Sequence, residues 1–209
     1  MSPQSHIAAV ILAAGESSRL GQPKQLIQFR GKTLVRRMVD AASEAGCRPI
    51  LVVLGSNKLV QGISSELKKT GATIVANPNW KCGIGTSIRA GIQNLLEIAP
   101  EVEATVLLTC DQLFVDRAVI DGLITLHHQT RKPIVAASYA GTLGVPALFD
   151  RSRLPELLGL DDSAGAKSII LSNRDQVAEF PFPEGGIDID TAEDRERFCS
   201  GNKENKGRL

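Results

Sequence analysis

Residues 7–24 read IAAVILAAGESSRLGQPK, an apolar run that passes directly into a loop of small residues with two cations. The apolar run predicts a buried strand, and the glycines and small residues after it predict a loop. Gly15 and Gly21 allow backbone N–H groups to approach an anion closely, because neither carries a Cβ atom. Arg19 can bind two phosphate oxygens at once, and Lys24 can place a point charge on a third. The stretch therefore predicts a strand that opens into a binding site for a nucleoside triphosphate.

Two common phosphate-binding loops do not fit this stretch. A P-loop carries Lys directly after its second Gly and then Ser or Thr, whereas Gln22 and Pro23 precede Lys24 here and Gln25 follows it. The dinucleotide fingerprint G-x-G-x-x-G has its nearest approximation at 83–85, far downstream and without the third Gly. The alternative left open by the residues alone is an ordinary glycine-containing turn with solvated charges.

Composition limits the classes of protein that fit. The chain has 209 residues, 43% of them hydrophobic, which is typical of one domain with a sizeable core; we assign residues 1–199 to that domain and 200–209 to an uninvolved polar tail. A net charge of +1, from 24 basic and 23 acidic residues, argues against a nucleic-acid surface or a polybasic membrane anchor. No apolar run approaches the roughly 20 residues of a membrane span, and the cysteines form no C-x-x-C pair. We therefore expect a cytoplasmic protein with reduced thiols and no nucleic-acid or membrane partner.

Apolar runs of strand length alternate with longer amphipathic segments along the chain. The predicted strands are 8–12, 50–54, 73–76, 104–108, 134–137 and 177–180. The predicted helices are 33–45, 57–70, 86–98, 117–128, 151–158, 164–173 and 192–198. Strands separated by helices of this length predict an α/β fold, a three-layer α/β/α arrangement with a mostly parallel sheet covered on both faces.

Ligands of such sheets bind at the carboxyl ends of the strands, so the loops after Leu12, Ala76 and Thr109 are expected to meet. The second of these loops runs into a helix through Gly83 and Gly85 and then two hydroxyl residues, Thr86 and Ser87. The glycines allow close backbone approach, and either hydroxyl can cap the helix while facing a base or ribose. An ordinary capped helix start remains the alternative, and we expect Trp80 in the same loop to be a packing residue.

The third loop carries a carboxylate, Asp111, within the segment 109–112. A carboxylate directly beyond a buried strand lies where a divalent cation bridging the triphosphate is needed, and Mg²⁺ prefers a few carboxylates together with phosphate oxygens and water. We therefore predict Mg²⁺ as cofactor with Asp111 as a ligand. The alternative is that Asp111 caps the following helix.

The pattern L-A-A-G-x-S-x-R-x-G-x-x-K at 12–24 resembles the signature of the nucleotidyltransferases that act on the molybdenum cofactor. It is most similar to the cytidylyltransferase branch, because Ala13-Ala14-Gly15 stands where guanylyl enzymes read Ala-Gly-Gly. The resemblance covers residues 6–198 and implies a Rossmann-like sheet of the nucleotide-diphospho-sugar transferase type. The nucleotide-binding residues that it implies are Leu12, Ala13, Ala14, Gly15, Arg19, Lys24, Asn77, Gly83 and Ser87.

The segment 185–194 resembles the terminal Asp-Ile-Asp-Thr element of the same family. Alternation along a strand places Asp188 and Asp190 on one face, so either can reach the metal. We prefer Asp188 as the second metal ligand beside Asp111, because Asp190 or Thr191 can instead cap the last helix.

Two further segments, 139–149 and 160–167, resemble the acceptor side of the family, the first as an insertion that ends in Gly-x-Pro. Both depart from the family pattern: Val145 stands where the family often has His, and 161–167 reads DDSAGAK. These departures leave the acceptor open. Lys167 can bind an acceptor phosphate or be a solvated helix charge.

The resemblance implies an enzyme that transfers CMP from CTP to the terminal phosphate of molybdopterin and releases pyrophosphate, with Lys24, Arg19 and Asp111 as catalytic residues. It also implies transient contact with a molybdoenzyme that receives the product. The alternatives are a sugar phosphate or another small phosphorylated acceptor, and a non-catalytic molybdenum cofactor-binding carrier. A nicotinamide-dependent oxidoreductase is disfavoured by the missing dinucleotide fingerprint.

Overall fold

Seven strands form one sheet in the computed structural model, which describes residues 6–15, 20, 22–55, 57–189 and 191–199. The strands are β1 (Ile7–Leu12), β4 (Ile50–Leu54), β5 (Thr73–Ala76), β6 (Ala104–Thr109), β7 (Ile134–Tyr139), β8 (Thr142–Asp150) and β9 (Val177–Pro181), while β2 (Gln28–Phe29) and β3 (Lys32–Thr33) form a separate ribbon. The order across the sheet is β5-β4-β1-β6-β8-β7-β9. Every neighbouring pair is parallel except the two that contain β8.

Helices cover both faces of this sheet. They are α1 (Leu34–Glu44), α2 (Asn57–Leu67), α3 (Ile84–Ile98), α4 (Arg117–Thr130), α5 (Leu154–Leu158), α6 (Ala166–Ser172) and α7 (Ala192–Cys199). Alternate residues of β1 serve opposite faces: Ala9 and Ile11 pack with α1, α2 and α4, whereas Val10 and Leu12 pack with α3, α5 and α6. This arrangement confirms the predicted three-layer α/β fold. Within the described ranges, no helix combines the length and apolar character that crossing a bilayer requires.

The strand β8 is the main difference from the sequence prediction. We expected 139–149 to be an inserted acceptor-side segment, but Thr142–Asp150 is an antiparallel strand between β6 and β7. Its pairing with β7 jumps from Ala137↔Gly144 to Ala136↔Ala147, so Val145 and Pro146 form a bulge. A bulge tolerates a proline that donates no ladder hydrogen bond, and a proline inside a run argues against a strand, which is why this strand was absent from the predicted ones.

Most other predicted bounds agree within a few residues. Helix α3 begins at Ile84, two residues earlier than predicted, while α2 ends at Leu67 rather than at residue 70. The helix predicted at 151–158 consists of a 3₁₀ turn, Arg151–Arg153, followed by the short α5. The predicted tail, 200–209, lies outside the described residues.

Candidate active site

A cavity of about 200 Å³ opens at the carboxyl end of the central strands β1 and β6. Its lining residues are Leu12, Ala13, Ala14, Gly15, Lys24, Trp80, Ile84, Ser87, Thr109, Cys110 and Asp111. All three loops that follow β1, β5 and β6 contribute, which confirms the expectation that they meet. The ends of β1 and β6 are joined by a hydrogen bond from Cys110 N to Leu12 O at 3.2 Å.

Lys24 and Asp111 form an ion pair inside this cavity. The Lys24 ammonium donates to the Asp111 carboxylate at 2.5 Å, and the two side chains are only 15% and 17% exposed. A charge-assisted hydrogen bond of this kind is stronger than a neutral one, and shielding from water strengthens it further. The cation and the carboxylate predicted from two distant loops therefore belong to one site.

Gln25, which the sequence analysis did not assign to the site, holds Lys24 in place. Its side chain is completely buried and donates to Ala13 O at 2.7 Å and to Gly15 O at 3.0 Å. These bonds tie the 3₁₀ turn Lys24–Leu26 to the backbone that leaves β1. The signal in the sequence was the position of Gln25 directly after Lys24. A glutamine that becomes buried there needs hydrogen-bond partners, and the nearest are the backbone groups of the loop.

The second loop places its residues in two different positions. Ser87 lines the cavity, whereas Asn77 lies behind it, 2% exposed, and donates to Thr86 Oγ1 at 2.8 Å and to Ser87 Oγ at 3.0 Å. Asn77 therefore fixes the first turn of α3 and the hydroxyl of Ser87, and its predicted direct contact with nucleotide stays a prediction. Trp80 packs against Gly55, where an added Cβ would lie 2.7 Å from the indole ring, and also lines the cavity.

Gly83 and Gly85 face another loop of the protein, rather than the cavity. Gly83 has a φ of +138°, and a Cβ there would lie 2.3 Å from Asp162 O; a Cβ on Gly85 would lie 2.0 Å from Asp161 O. The amide of Gly85 also donates to Asp162 O at 2.8 Å. We expected these glycines to allow close approach of a nucleotide, but in the structure the close approach is that of the loop 161–164.

Asp188 lies beside Asp111 in the fold. Gln112 and Asp188 form an isolated antiparallel bridge, and Ile189 N donates to Asp111 O at 3.3 Å. Burial raises the pKa of Tyr139, and the nearby charge of Asp188 raises it further. The structure thus brings together the chain segments that carry both predicted metal ligands.

The donor set suits Mg²⁺, which binds through one or two carboxylates and keeps its remaining positions for water and substrate phosphate. Within the described residues, no three His, Cys, Asp or Glu side chains form a metal-binding group. Two predicted positions, Arg19 and Asp190, lie outside the described residues.

Cys110 also lines the cavity, but it is not an ionised nucleophile. The side chain is buried, and that burial together with the adjacent Asp111 charge raises the pKa of its thiol to about 12. The thiol is therefore neutral near pH 7 and contributes an apolar wall.

A second cavity of about 150 Å³ adjoins the first and shares Leu12, Ile84 and Thr109 with it. Its other lining residues are Ile88, Leu107, Tyr139, Gly144, Val145, Gly165, Ala166 and Lys167. Both segments that the sequence analysis assigned to the acceptor side, 139–149 and 160–167, therefore border one space next to the Lys24 and Asp111 pair.

Solved structures with the same fold cover nearly the whole chain. Rv0371c from Mycobacterium tuberculosis H37Rv superposes with a TM-score of 0.75 and 29% identity, over 93% of this chain and 98% of its own. A structure of Rv0371c in complex with manganese matches with a TM-score of 0.72 and 28% identity, over 94% and 99%. CMP:2-keto-3-deoxy-manno-octonic acid synthetase complexed with CTP has a TM-score of 0.71 over 94% of this chain and 98% of its own, and at 15% identity it supports the fold alone. The predicted sheet of the nucleotide-diphospho-sugar transferase type is confirmed.

Among curated proteins, nicotine blue oxidoreductase of Paenarthrobacter nicotinovorans is 37% identical over 86 residues, which is 41% of this chain and 41% of that protein. A probable molybdenum cofactor guanylyltransferase of Opitutus terrae is 43% identical over 49 residues, 23% of this chain and 24% of its own. The chain spans less than half the length of these relatives in the matched stretches. Residues 9–177, most of the chain, match the MobA-like NTP transferase domain, and the chain therefore belongs to that family.

Proposed function

We propose that the chain is a Mg²⁺-dependent cytidylyltransferase that transfers CMP from CTP to the terminal phosphate of molybdopterin in the cytoplasm and releases pyrophosphate. The observation that carries the proposal is the Lys24–Asp111 pair, held at 2.5 Å in a cavity whose other wall is the small-residue end of β1. A cation, a carboxylate and a loop of small residues in one cavity suit a metal-bound triphosphate. Membership in the family of NTP transferase domains supports the same reaction class.

The reaction needs no dedicated general base in this site. An oxygen of the acceptor phosphate, already an anion, forms a bond to the α-phosphorus, and the bond from that phosphorus to the bridging oxygen of pyrophosphate breaks. The protein contributes positioning and charge stabilisation. Lys24 stabilises the charge that grows around the α-phosphoryl group, and Arg19 holds the leaving pyrophosphate. The amide of Ala13 already donates to Val53 O at 2.9 Å, so the loop amides that bind phosphate oxygens lie beyond it.

Asp111 and Asp188 would hold the magnesium ion, and the bound ion would neutralise part of the phosphate charge. The two residues lie on chain segments joined by main-chain pairing, which supports a shared ligand role. The manganese complex of Rv0371c, a related chain with 28% identity, supports a divalent cation in this fold.

The choice of CTP is supported by Ala14. This residue lines the cavity beside Ala13 and Gly15, at the position where guanylyl enzymes of the resembled family carry glycine. A molybdopterin acceptor is supported by the similarity to a molybdenum cofactor guanylyltransferase. The product would then pass to a molybdoenzyme by transient contact. A sugar phosphate or another small phosphorylated acceptor is the alternative within the same chemistry.

A second candidate is an oxidoreductase, favoured by the 37% identity to nicotine blue oxidoreductase over 86 residues. It is disfavoured by the missing dinucleotide fingerprint in the sequence. A non-catalytic carrier of the molybdenum cofactor is a third; it would bind without releasing pyrophosphate.

The test is a thermal-shift screen of the four nucleoside triphosphates with and without Mg²⁺, with NADH and NADPH in parallel. A ligand at a hundred times its dissociation constant stabilises the folded state by about 2.7 kcal/mol. We expect CTP with Mg²⁺ to raise the melting temperature most, and to yield pyrophosphate when molybdopterin is added. Stabilisation by NADH or NADPH alone would favour the oxidoreductase, and binding without pyrophosphate release would favour the carrier.

A further inference from the structure

Gln112 is a buried amide that joins three segments around the two cavities. The residue is 3% exposed. Its Oε1 accepts from Thr109 Oγ1 at 3.2 Å, while its Nε2 donates to Val145 O at 2.9 Å and to Gly185 O at 3.0 Å. Both amide protons are therefore used on backbone carbonyls that belong to different parts of the chain.

Each of the three segments carries part of the proposed site. Thr109 ends β6 two residues before Asp111, and Val145 borders the second cavity. Gly185 lies three residues before Asp188, whose backbone forms a bridge with Gln112 itself. The backbone hydrogen bond from Ile189 N to Asp111 O is 3.3 Å long, so the amide of Gln112, 3.0 Å from Gly185 O, provides a shorter connection between these segments.

Tyr139 supports the same connection from the other side. Its hydroxyl donates to Val145 O at 3.1 Å, so that this carbonyl accepts from both Tyr139 and Gln112. Its ring packs directly on Gly185, where an added Cβ would lie 2.5 Å away. The segment 183–189 is thus held between an aromatic ring and a buried amide.

We propose that Gln112 is a positioning residue that sets the spacing of the Asp111 and Asp188 carboxylates, and through that spacing the affinity for a divalent cation. The proposal rests on the metal site of the proposed function. Partners that orient metal ligands from outside the coordination sphere typically change metal affinity by about 10- to 100-fold when removed.

The experiment compares Mn²⁺ binding, followed by the electron paramagnetic resonance of the free ion, in the full chain and four variants. Gln112→Met keeps the side-chain volume but removes both donors, and Gln112→Glu adds a negative charge while replacing the amide. Asp111→Asn removes a proposed ligand. Asn173→Leu is the matched control, because the Asn173 amide also donates to a backbone carbonyl, Ile169 O at 3.0 Å, but does not line either cavity. Amide hydrogen exchange of 183–189 is measured on the same proteins.

We expect Gln112→Met to weaken Mn²⁺ binding about 10- to 100-fold and to speed exchange in 183–189, with neither effect in Asn173→Leu. A purely electrostatic role predicts tighter binding in Gln112→Glu, whereas positioning predicts weaker binding. Unchanged hydrogen exchange or unchanged Mn²⁺ affinity in Gln112→Met overturns the proposal. If Asp111→Asn nevertheless weakens Mn²⁺ binding in that case, the metal site of the proposed function is still supported. If the unaltered chain binds no Mn²⁺, both the metal site and this inference fail.

Discussion

The ion pair between Lys24 and Asp111 is the contact on which the site depends. Each side chain is mostly shielded from water, and each supplies the counter-charge that makes shielding of the other tolerable. The same two charges are the ones a metal-bound phosphate group needs, so the pair links the stability of the loop after β1 to its chemistry. Gln25 completes the link by anchoring that loop to Ala13 O and Gly15 O.

We predict that Lys24→Ala and Asp111→Ala each lower turnover by about a hundredfold or more, as measured by pyrophosphate release, because each removes a group that stabilises transition-state charge. Lys32→Ala is the control, since Lys32 is also paired with a carboxylate, Asp40, but its side chain is 53% exposed and lies outside the cavity. Lys32→Ala should retain turnover. Near-normal pyrophosphate release from a folded Lys24→Ala protein would contradict the mechanism.

Among the elements, the start of α3 and the loop before α6 are bound tightly to each other. Gly83 and Gly85 allow backbone contact, and Arg89 adds hydrogen bonds to Leu160 O and to the carboxylate of Asp162. The loop that borders the first cavity is therefore coupled to the loop that borders the second. Packing between these two loops is therefore sufficient to explain glycine at positions 83 and 85, without a contact to nucleotide.

We predict that Gly85→Ala destabilises the fold by about 1–3 kcal/mol, because its methyl group would overlap the backbone carbonyl of Asp161 and the loop would have to shift. The measurement is urea or thermal unfolding. Gly159→Ala is the control: a Cβ there meets Pro155 O at 3.5 Å, an ordinary contact, and the φ of −88° suits alanine. Equal stability of the two variants would contradict the close packing.

The stability of the whole molecule should depend on pH through its buried thiols. Burial raises the pKa of Cys47 to about 12 from an ordinary value of 9.0. The contribution of this thiol to the free energy of unfolding is therefore fully present below pH 9. It is lost as the pH rises towards 12, because the Cys47 thiol ionises at a lower pH in the unfolded chain than in the folded protein.

We therefore predict that, between pH 8 and about pH 10.5, the free energy of unfolding falls by about 2 kcal/mol more in the unaltered protein than in Cys47→Ala. The measurement is urea unfolding at each pH. Cys82 is exposed, so Cys82→Ala should follow the unaltered protein. Parallel pH curves for the unaltered protein and Cys47→Ala would show that the thiol is not held neutral.

Local sequence signals were sufficient for the fold class and for much of the cavity. The apolar run at 7–12 and its small-residue loop identified the central strand and the residues at its end, because hydrophobic period and glycine content act over a few neighbouring positions. The rule that ligands gather at the carboxyl ends of parallel strands then predicted that the loops carrying Lys24, Ser87 and Asp111 meet.

Other features arise from long-range packing that no local pattern encodes. Val145 and Pro146 form a bulge within β8 because consecutive residues of β7 pair with Gly144 and Ala147, the residues on either side of them. Gly83 and Gly85 face the loop 161–164, which is 76 to 80 positions away along the chain. Gln112 donates to Val145 and Gly185, which are 33 and 73 positions away. A glycine or an amide side chain is compatible with several roles, and the sequence alone does not distinguish them. Only the neighbours in the folded chain determine whether the residue contacts a ligand, a strand or another loop.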